Sequence, residues 1–429
     1  MNNILDAAIE CIPLTDLQSL QLKRLQKVLD HAKINSPLYK KKLKNIDLRL
    51  ITSLHDITHI PFTTKDELVA GGSHCTLAVP LDEVAEVHFS SGTTKSPVAS
   101  FLSKKDIEAS NHALSRTWYM QGIRKSSIFG MLASYGLFSA GLINHYAIQN
   151  LGAFVVPIGG VSTDKIIQLL LDFKIDSLAA VASHYFHILR RIKLAEIDVS
   201  QLKLRTIIAG GEPFTESHRA FIEHNLNVKM FDQYGLCEIN TGIAGECVAQ
   251  DGLHLLADYA YPEIIDPVTE KVLAEGETGE LVLTTLAKEA SPLIRYRTGD
   301  ITSITYEPCR CGRTLPRISR IKERVSKTIF HKGLKLERSF ISDVLIHGHE
   351  YIDPYLWKFI FNSEELDSKI EIKVSPRKPH SPEVVEVFLR ELVMKKLGFH
   401  AQITFFEPVE IVTLEGHKLH HFVDRKARI

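Results

Sequence analysis

The sequence predicts an α/β protein in which a large N-terminal domain of mixed and parallel sheets with helices precedes a small C-terminal α+β domain. Three observations support this prediction. The 429 residues exceed what a single hydrophobic core normally supports. Between about residues 84 and 285, short apolar runs alternate with helical patterns, which favours a parallel sheet. After about residue 327 the pattern changes to short strands around one amphipathic helix.

The large domain begins with one or two amphipathic helices, because apolar residues recur at helical spacing up to about residue 45. Four apolar runs that end in turn residues are typical of buried strands, and they begin at Ser127, Phe154, Ser177 and Thr206. Helical patterns at 164–174 and 184–196 separate the last three of these runs. A run from Glu280 indicates an antiparallel strand near the end of the domain.

The small domain is predicted from four short strands and one helix. The strands are expected at 357–362, 369–373, 402–405 and 408–412, and the helix at 382–397. The charged segment 320–327 marks the boundary. This gives a domain over 1–321, a hinge over 322–327 and a second domain over 328–429.

Composition excludes several function classes. Lys plus Arg (51) equals Asp plus Glu (51), so no net field favours nucleic acid or anionic lipid. No apolar stretch approaches the about 20 residues that a membrane-spanning helix needs, and the start lacks the pattern of a secretory signal. Six cysteines in a chain of this length do not indicate a disulfide framework. We therefore expect a cytoplasmic protein.

A loop rich in hydroxyl groups precedes Pro97 and is suited to binding phosphate. Backbone N–H groups approach an anion closely at a glycine, and hydroxyl groups donate to it. The spacing is not that of a Walker A loop. A solvated turn is the alternative. The residues of this loop are Ser90, Ser91, Gly92, Thr93, Thr94 and Lys95.

Three further segments combine glycine with polar residues. Segment 204–213 is a strand that ends in Gly210 and Gly211, which exposes backbone at the edge where ligands of open α/β sheets bind. In segment 232–238 the aromatic residue Tyr234 precedes a glycine, and the carboxylate of Glu238 follows four residues after Tyr234. This pattern is suited to a base and to Mg²⁺. Segment 295–300 ends in a carboxylate that we expect in a tight turn. Ordinary surface turns are the alternative for each.

In this order the four segments resemble the adenylate-forming superfamily, and essentially the whole chain is similar to its phenylacetate–CoA ligase family. Other segments carry the same resemblance: PFTTKDEL at 61–68, SYGLFSAGL at 134–142, QDGLHL at 250–255, CRCGRTLPRI at 309–318 and GHKL at 416–419. The resemblance implies the adenylate-forming fold. It also implies an enzyme that uses Mg²⁺ and ATP to form an acyl-adenylate and then transfers the acyl group to coenzyme A.

The resemblance also implies roles for individual residues. It implies that the 90–94 loop binds the β- and γ-phosphates, and that Lys418 reaches the carboxylate and the α-phosphate. The adenine and ribose are expected at the residues Gly211, Glu212, Pro213, Asp232, Tyr234, Gly235 and Asp300. Glu238 is expected at the magnesium ion and Arg324 at the ribose or phosphate, so that Lys418, Glu238 and Arg324 form the catalytic set.

Two departures from the family pattern leave alternatives open. Lys95 and Ser96 stand where glycine and lysine are usual, and Ser326 stands where the hinge usually has aspartate. A degenerate nucleotide- or acyl-binding protein without turnover is therefore one alternative. Another is the same adenylation with a carrier-protein thiol or an amine as acceptor. A homodimer also stays open.

The resemblance places the acyl group beside segment 134–142. Small residues next to aromatic residues form a flat apolar slot, which suits an aryl or arylacetic acid. Ordinary core packing is the alternative, and a satisfied structural histidine is the alternative for His184. The predicted substrate contacts are Tyr135, Gly136, Phe138, Ala140, Gly141 and His184.

A cysteine pair predicts a structural zinc site. Cys309 and Cys311 offer two ligands from one turn, and Cys247 and His254 flank a loop that offers two more. Tetrahedral zinc binds four such nitrogen or sulfur ligands. Unrelated reduced thiols are the alternative.

Overall fold

The computed structural model describes residues 3–90, 97–239, 241–321, 324, 329–331, 334–362, 369–406 and 421–425. Within these ranges the chain forms eleven α-helices and twenty strands. The helices are α1 Ala7–Glu10, α2 Leu14–Asn35, α3 Pro37–Lys42, α4 Lys65–Gly71, α5 Lys104–Met120, α6 Ser139–Asn150, α7 Thr163–Asp172, α8 Ala182–Leu194, α9 Glu216–Leu226, α10 Arg338–Ile346 and α11 Pro382–Leu397. None of the helices in these ranges has both the length and the apolar composition needed to cross a bilayer.

A nine-stranded sheet forms the centre of the molecule. Its strand order is β13-β14-β9-β8-β7-β6-β5-β3-β4. The strands are β3 Ile128–Met131, β4 Phe154–Pro157, β5 Ser177–Ala180, β6 Thr206–Gly210, β7 Lys229–Leu236, β8 Thr241–Glu246, β9 Leu253–Leu255, β13 Ile304–Thr305 and β14 Arg317–Ile318. The five strands from β3 to β7 are parallel, and the other four are antiparallel to their neighbours.

Helices cover both faces of the parallel strands, so alternate residues of each strand are buried on opposite sides. In β6, Ile207 packs in the cluster that holds α7, α8 and α9. Its neighbour Ile208 packs with Trp118 of α5 and Ile143 of α6. The alternation of strands and helices in the sequence therefore corresponds to a parallel sheet with helices on both faces.

Two small antiparallel sheets are separate from the nine-stranded sheet. The first pairs β1 Val84–Phe89 with β2 Ala99–Ser103, on either side of the hydroxyl-rich loop. The second is the three-stranded sheet β10-β11-β12. It consists of β10 Ala260–Ile265, β11 Gly279–Thr285 and β12 Tyr296–Thr302. The last strand carries Asp300.

The later part of the chain forms a separate four-stranded sheet with its own core. A short hairpin, β15 Ile329–His331 with β16 Leu334–Leu336, precedes it. The sheet has the order β19-β18-β17-β20 and is covered by α10 and α11. Its strands are β17 Ile352–Phe361, β18 Glu371–Pro376, β19 Gln402–Phe405 and β20 Phe422–Asp424.

Most predicted elements in the described ranges agree with the structure. The strand expected at 408–412 lies outside the described residues, and β20 was not predicted. Asp300 lies in β12 and not in a tight turn. The strand is irregular here, because Gly299 adopts a φ of 73° and the pairing with β11 shifts register.

Candidate active site

Three of the predicted site residues, Tyr234, Asp300 and Arg324, meet where the three-stranded sheet contacts β7. Asp300, which is 1% exposed, accepts a hydrogen bond on each carboxylate oxygen. Tyr234 donates its hydroxyl to Oδ2 at 2.7 Å, and Arg324 donates Nε to Oδ1 at 2.5 Å. A backbone bridge also joins Asp300 and Arg324. Three segments that are distant in sequence thus meet at one carboxylate.

Glu238 lies in a short 3₁₀ turn, Cys237–Ile239, immediately after β7. Its side chain is 7% exposed, and Oε1 is 3.6 Å from Nζ of Lys65, the first residue of α4. Tyr296 lies beside it. Glu238 also acts electrostatically on Asp300 and Arg324, so the two carboxylates and two cations form one cluster.

Burial is the largest influence on the pKa values of Asp300, Tyr234 and Tyr296. It raises the pKa of Asp300, while the charge of Arg324 and the hydroxyl of Tyr234 oppose that rise. Burial and the neighbouring carboxylates raise the pKa of both Tyr234 and Tyr296 well above the ordinary value. Both phenols are therefore neutral donors at physiological pH.

The loop that is predicted to bind phosphate is described only at its first residue. Ser90 is buried, and it exchanges backbone and side-chain hydrogen bonds of 3.0 Å with Val98. These bonds bring the two ends of the loop together. The other predicted loop residues, 91–95, lie outside the described residues, as does Lys418.

The residues predicted to surround the adenine follow β6. Gly211 adopts a φ of 78°, which glycine tolerates best. Glu212 accepts a hydrogen bond from the backbone of Ser183 at 3.3 Å. Pro213 follows in the same turn. Together they border the start of α8, where His184 lies.

Asp232 and Gly235 belong to β7. Arg320 donates Nε to Asp232 at 2.8 Å, and this contact connects β7 with the segment that leads to Arg324. Burial raises the pKa of Asp232 to about 6, with Arg320 opposing the rise and Glu246 adding to it. The Asp232 carboxylate therefore ties two segments of the chain together.

The predicted acyl segment lies between β3 and α6. Tyr135 and His145 share a hydrogen bond of 2.9 Å. Gly141 cannot carry a side chain, because a Cβ atom there would be 2.3 Å from the carbonyl oxygen of Ser134. Phe138 is 39% exposed, so it is not a core residue. Gly136 and Ala140 lie between these residues.

The acyl segment touches the other parts of the candidate site. Leu137 accepts a backbone hydrogen bond from Phe89 of β1 at 2.9 Å. Ser139 donates to the sulfur of Cys237, next to Glu238, at 3.3 Å. His184 is in the electrostatic range of Glu212, and burial lowers its pKa. The described residues that are predicted to contact the acyl group, the nucleotide and magnesium therefore share one region of the molecule.

The four predicted zinc ligands form a second cluster, in which all donor atoms lie within 4.8 Å of one another. The sulfurs of Cys247 and Cys309 are 3.8 Å apart, and the sulfur of Cys311 is 3.4 Å from Nε2 of His254. Arg313 donates to Cys311 at 3.6 Å and pairs with buried Glu10 of α1 at 2.6 Å. The cluster thus fixes the start of the chain to the antiparallel edge of the large sheet.

Three residues near Glu238 were not predicted as site residues. Lys65 lies in a segment that carries the family resemblance, so its sequence signal was present. Tyr296 lies in the segment before Asp300. Lys288 is buried, and burial lowers its pKa to about 8. No local pattern marks Lys288, because its neighbours in space are far away in sequence.

Comparisons with known proteins show the family to which the chain is related. Residues 7–286 match the family described as AMP-binding enzyme. A phenylacetate-coenzyme A ligase of Thermus thermophilus is 32% identical over 97% of this chain and 98% of that protein. Another, of Aromatoleum evansii, is 35% identical over 96% of this chain and 95% of that protein.

The fold has a solved counterpart. A crystal structure of 2-hydroxyisobutyryl-CoA ligase in the postadenylation state superposes with a TM-score of 0.91 and 22% identity, covering 99% of this chain and 93% of that one. At this identity the likeness shows the fold, which is the one that the sequence resemblance implied. The identities of the curated relatives, over nearly their full length, show the kinship. The chain therefore belongs to the AMP-binding enzyme family, and among the adenylate-forming enzymes it is phenylacetate–CoA ligase-like.

Proposed function

We propose that this chain is an AMP-forming acid–CoA ligase. In the first step a carboxylate oxygen of the substrate attacks the α-phosphorus of ATP, the bond from that phosphorus to the β-phosphate oxygen breaks, and pyrophosphate leaves. In the second step the sulfur of coenzyme A attacks the acyl carbon. AMP leaves with the electrons of the acyl–oxygen bond, and the thiol proton passes to solvent.

One observation carries this proposal: Tyr234, Glu238, Asp300 and Arg324 converge on one cluster. A carboxylate that is fixed by a neutral phenol and a guanidinium is suited to accept from ribose hydroxyls. A second buried carboxylate, that of Glu238, would supply a hard oxygen ligand to the magnesium ion of Mg-ATP, and Lys65 and Arg324 would supply positive charge for the phosphates. Preorganised positive groups of this kind stabilise the negative charge that builds on the phosphoryl oxygens during attack.

The remaining roles follow the family resemblance and are part of the proposal. Loop 90–94 with Lys95 binds the β- and γ-phosphates, Gly211, Glu212 and Pro213 border the adenine, and Lys418 approaches the α-phosphate. We assign Lys418 to a C-terminal domain over 328–429, which moves about a hinge over 322–327 between the two steps.

For the acid we propose an aryl or arylacetic compound. The segment 134–142 combines Tyr135 and the half-exposed Phe138 with the small residues Gly136, Ala140 and Gly141. Such a surface favours a planar ring over a long alkyl chain. The curated relatives named phenylacetate-coenzyme A ligases support the same class.

Acid-dependent exchange of labelled pyrophosphate into ATP tests the first step. We expect exchange with phenylacetate, and a CoA thioester together with AMP when CoA is added. Exchange without a thioester would favour a carrier-protein thiol or an amine as acceptor. ATP binding without exchange across a panel of aromatic acids would favour a degenerate nucleotide-binding protein.

We also propose that Cys247, His254, Cys309 and Cys311 bind one structural zinc ion. Tetrahedral zinc separates two sulfurs by about 3.8 Å, and a sulfur from a nitrogen by about 3.5 Å. The corresponding distances here are 3.8 and 3.4 Å. Four protein ligands complete the coordination, which is typical of structural and not of catalytic zinc.

A further inference from the structure

Lys288 is a buried cation that lies behind the candidate active site. Its side chain is 1% exposed, in the loop between β11 and β12. Within the described ranges its ammonium group forms no salt bridge, although the carboxylates of Asp106 and Glu238 act on it electrostatically from farther away. Lysine is seldom buried without a charged partner, so this position needs an explanation.

The ammonium group joins two parts of the site. It donates to the hydroxyl of Ser100 at 2.6 Å and to the backbone carbonyl of Glu238 at 3.0 Å. Ser100 belongs to β2, which follows the phosphate-binding loop, and its hydroxyl is 3.4 Å from the same carbonyl. Lys288 thus ties the strand after the loop to the turn that carries Glu238.

The loop that carries Lys288 is itself held firmly. Asp106, at the start of α5, accepts from the backbone of Glu289 at 2.7 Å and of Ala290 at 2.9 Å. The hydroxyl of Ser291 exchanges hydrogen bonds with the backbone of Phe101 at 2.9 and 3.0 Å. The backbone next to Lys288 is therefore fixed against α5 and β2.

We propose that Lys288 is a positioning residue for adenylation: its ammonium group fixes the 237–239 turn against β2, and so sets where the Glu238 carboxylate meets the magnesium of Mg-ATP. This rests on the proposed function, in which Glu238 faces that ion. The opposite side of the turn is held by Ser139 of α6 through Cys237. Glu238 is thus located between the acyl segment and Lys288.

The type of residue supports this role. An ammonium group that is buried without an ion pair costs free energy. If packing alone were required, a methionine would fill the same volume, and Ser100 would still be within reach of the Glu238 carbonyl. A charged donor bonds that carbonyl more strongly than a neutral one. A site that must hold a magnesium ligand in place gains from this stronger bond.

The test is Lys288→Met, assayed with phenylacetate, ATP and varied Mg²⁺. We expect kcat for pyrophosphate exchange to fall about 10- to 100-fold, the range for losing one charged hydrogen bond. The Mg²⁺ concentration for half-maximal exchange should rise. Thioester formation from supplied phenylacetyl-adenylate, which needs no triphosphate, should change less than about threefold. The midpoint of thermal unfolding should not fall.

Lys33→Met is the matched control, because Lys33 also donates to a backbone carbonyl, that of Ile46, at 2.6 Å in another part of the molecule. We expect it to leave both half-reactions unchanged. Ser100→Ala keeps the ammonium group and removes one of its two partners, so a weaker defect of the same kind is expected. This variant decides the matter if Lys288→Met does not fold.

Three results would overturn the inference. Normal exchange and normal Mg²⁺ dependence in Lys288→Met, or in Ser100→Ala when Lys288→Met does not fold, would remove the positioning role. So would equal loss of both half-reactions together with a lower unfolding midpoint, which is the signature of a purely structural residue. Absence of exchange in the unaltered enzyme would overturn the proposed function, and this inference with it.

Discussion

Both carboxylate oxygens of Asp300 are occupied by donors from the chain itself, Tyr234 on one and Arg324 on the other. The phenol is neutral and buried, so its contribution is directional and does not depend on pH near neutrality. The guanidinium is 43% exposed, so water screens its charge in part. The hydroxyl of Tyr234 therefore sets the orientation of the carboxylate, and Arg324 supplies positive charge beside it.

Tyr234→Phe tests this division of roles. The change removes the 2.7 Å hydrogen bond and keeps the buried ring. A net hydrogen bond contributes about 1 kcal/mol, and about 1.4 kcal/mol is a factor of ten, so we expect KM for ATP to rise about fivefold. KM for the acid should stay the same. Pyrophosphate exchange at varied ATP measures both constants.

Tyr185→Phe is the control, because its hydroxyl is also buried and donates to the carbonyls of Leu178 and Ile208. It should lower the free energy of unfolding and leave KM for ATP unchanged. An unchanged KM for ATP in Tyr234→Phe would mean that the phenol supports the fold and not the nucleotide.

The individual residues differ in how far the sequence could predict them. Glu238 and Asp300 were predicted, because each lies in a short segment with a family pattern. The bond between Asp300 and Tyr234 was not predicted, because 66 residues separate them and the register of two sheets decides it. Lys288 had no signal at all, since only tertiary packing brings it to Ser100 and Glu238.

Among the elements, the turn with Cys309 and Cys311 contacts several parts of the large domain. Its two cysteines face β8 and β9 through Cys247 and His254, and Arg313 joins it to α1 through Glu10. A metal ion would replace the hydrophobic contacts that so short a segment cannot provide. We expect that removal of the metal ion would destabilise the turn together with β8, β9 and α1.

The zinc proposal predicts close to one zinc ion per chain after dialysis. Removal with a chelator should lower the unfolding midpoint by about 5 °C or more, because a tightly bound ligand contributes several kcal/mol. Cys311→Ser should lower the zinc content and reproduce the shift. Cys75→Ser, at a buried cysteine outside the cluster, is the control. A metal-free sample with an unchanged midpoint would refute a structural ion.

The elements were more predictable than their contacts. The parallel strands β3 to β6 and helices α7, α8 and α11 follow from apolar periodicity, because burial on one face or both imposes that period. The sequence could not show that β8, β9 and β14 extend the parallel sheet in antiparallel pairing. These strands are too short to show an apolar period in the sequence. Their pairing depends on contacts among segments that are distant from one another within residues 241–318.

Across the whole molecule, α8 and α9 meet the later part of the chain through several histidines. Arg190 pairs with Asp353 at 3.1 Å, His187 contacts the hydroxyl of Tyr355, and Phe221 packs against His349 with ring centroids 5.3 Å apart. His218 faces the charged or titratable groups of Asp343, His421 and Arg320. This interface must separate if the C-terminal domain moves as we propose.

Acid should weaken this interface. Burial lowers the pKa of His218 to about 4, with His421 adding to the effect, Asp343 opposing it and Arg320 again adding to it. Because the ordinary value is about 6.5, the unfolded chain binds a proton first as pH falls. The contribution of neutral His218 to the free energy of unfolding is therefore fully present above pH 6.5. It is lost as pH falls towards 4, by about 2 kcal/mol at pH 5.

Urea unfolding at pH 7.5 and pH 5 measures this loss. His218→Gln should reduce the difference between the two free energies of unfolding. His224→Gln is the control, because His224 is an exposed histidine of the same helix. The same difference in both variants would exclude His218 as the titrating group.

The two-domain scheme predicts a separate outcome for Lys418. Lys418→Ala should abolish pyrophosphate exchange and spare thioester formation from supplied phenylacetyl-adenylate, because only the first step requires charge at the α-phosphate. A rapid-quench assay of each half-reaction measures the two effects. Equal loss of both half-reactions would contradict a lysine that serves the first step alone.

The contact of Arg313 with the beginning of the chain has a practical consequence. Arg313 donates to the backbone carbonyl of Asn3 while it also contacts the sulfur of Cys311. A polyhistidine purification tag placed before Asn3 would therefore add imidazoles close to four thiol and imidazole donors. Those extra groups would scavenge nickel or zinc and inflate the measured stoichiometry, so metal content should be determined on protein from which the tag has been cleaved.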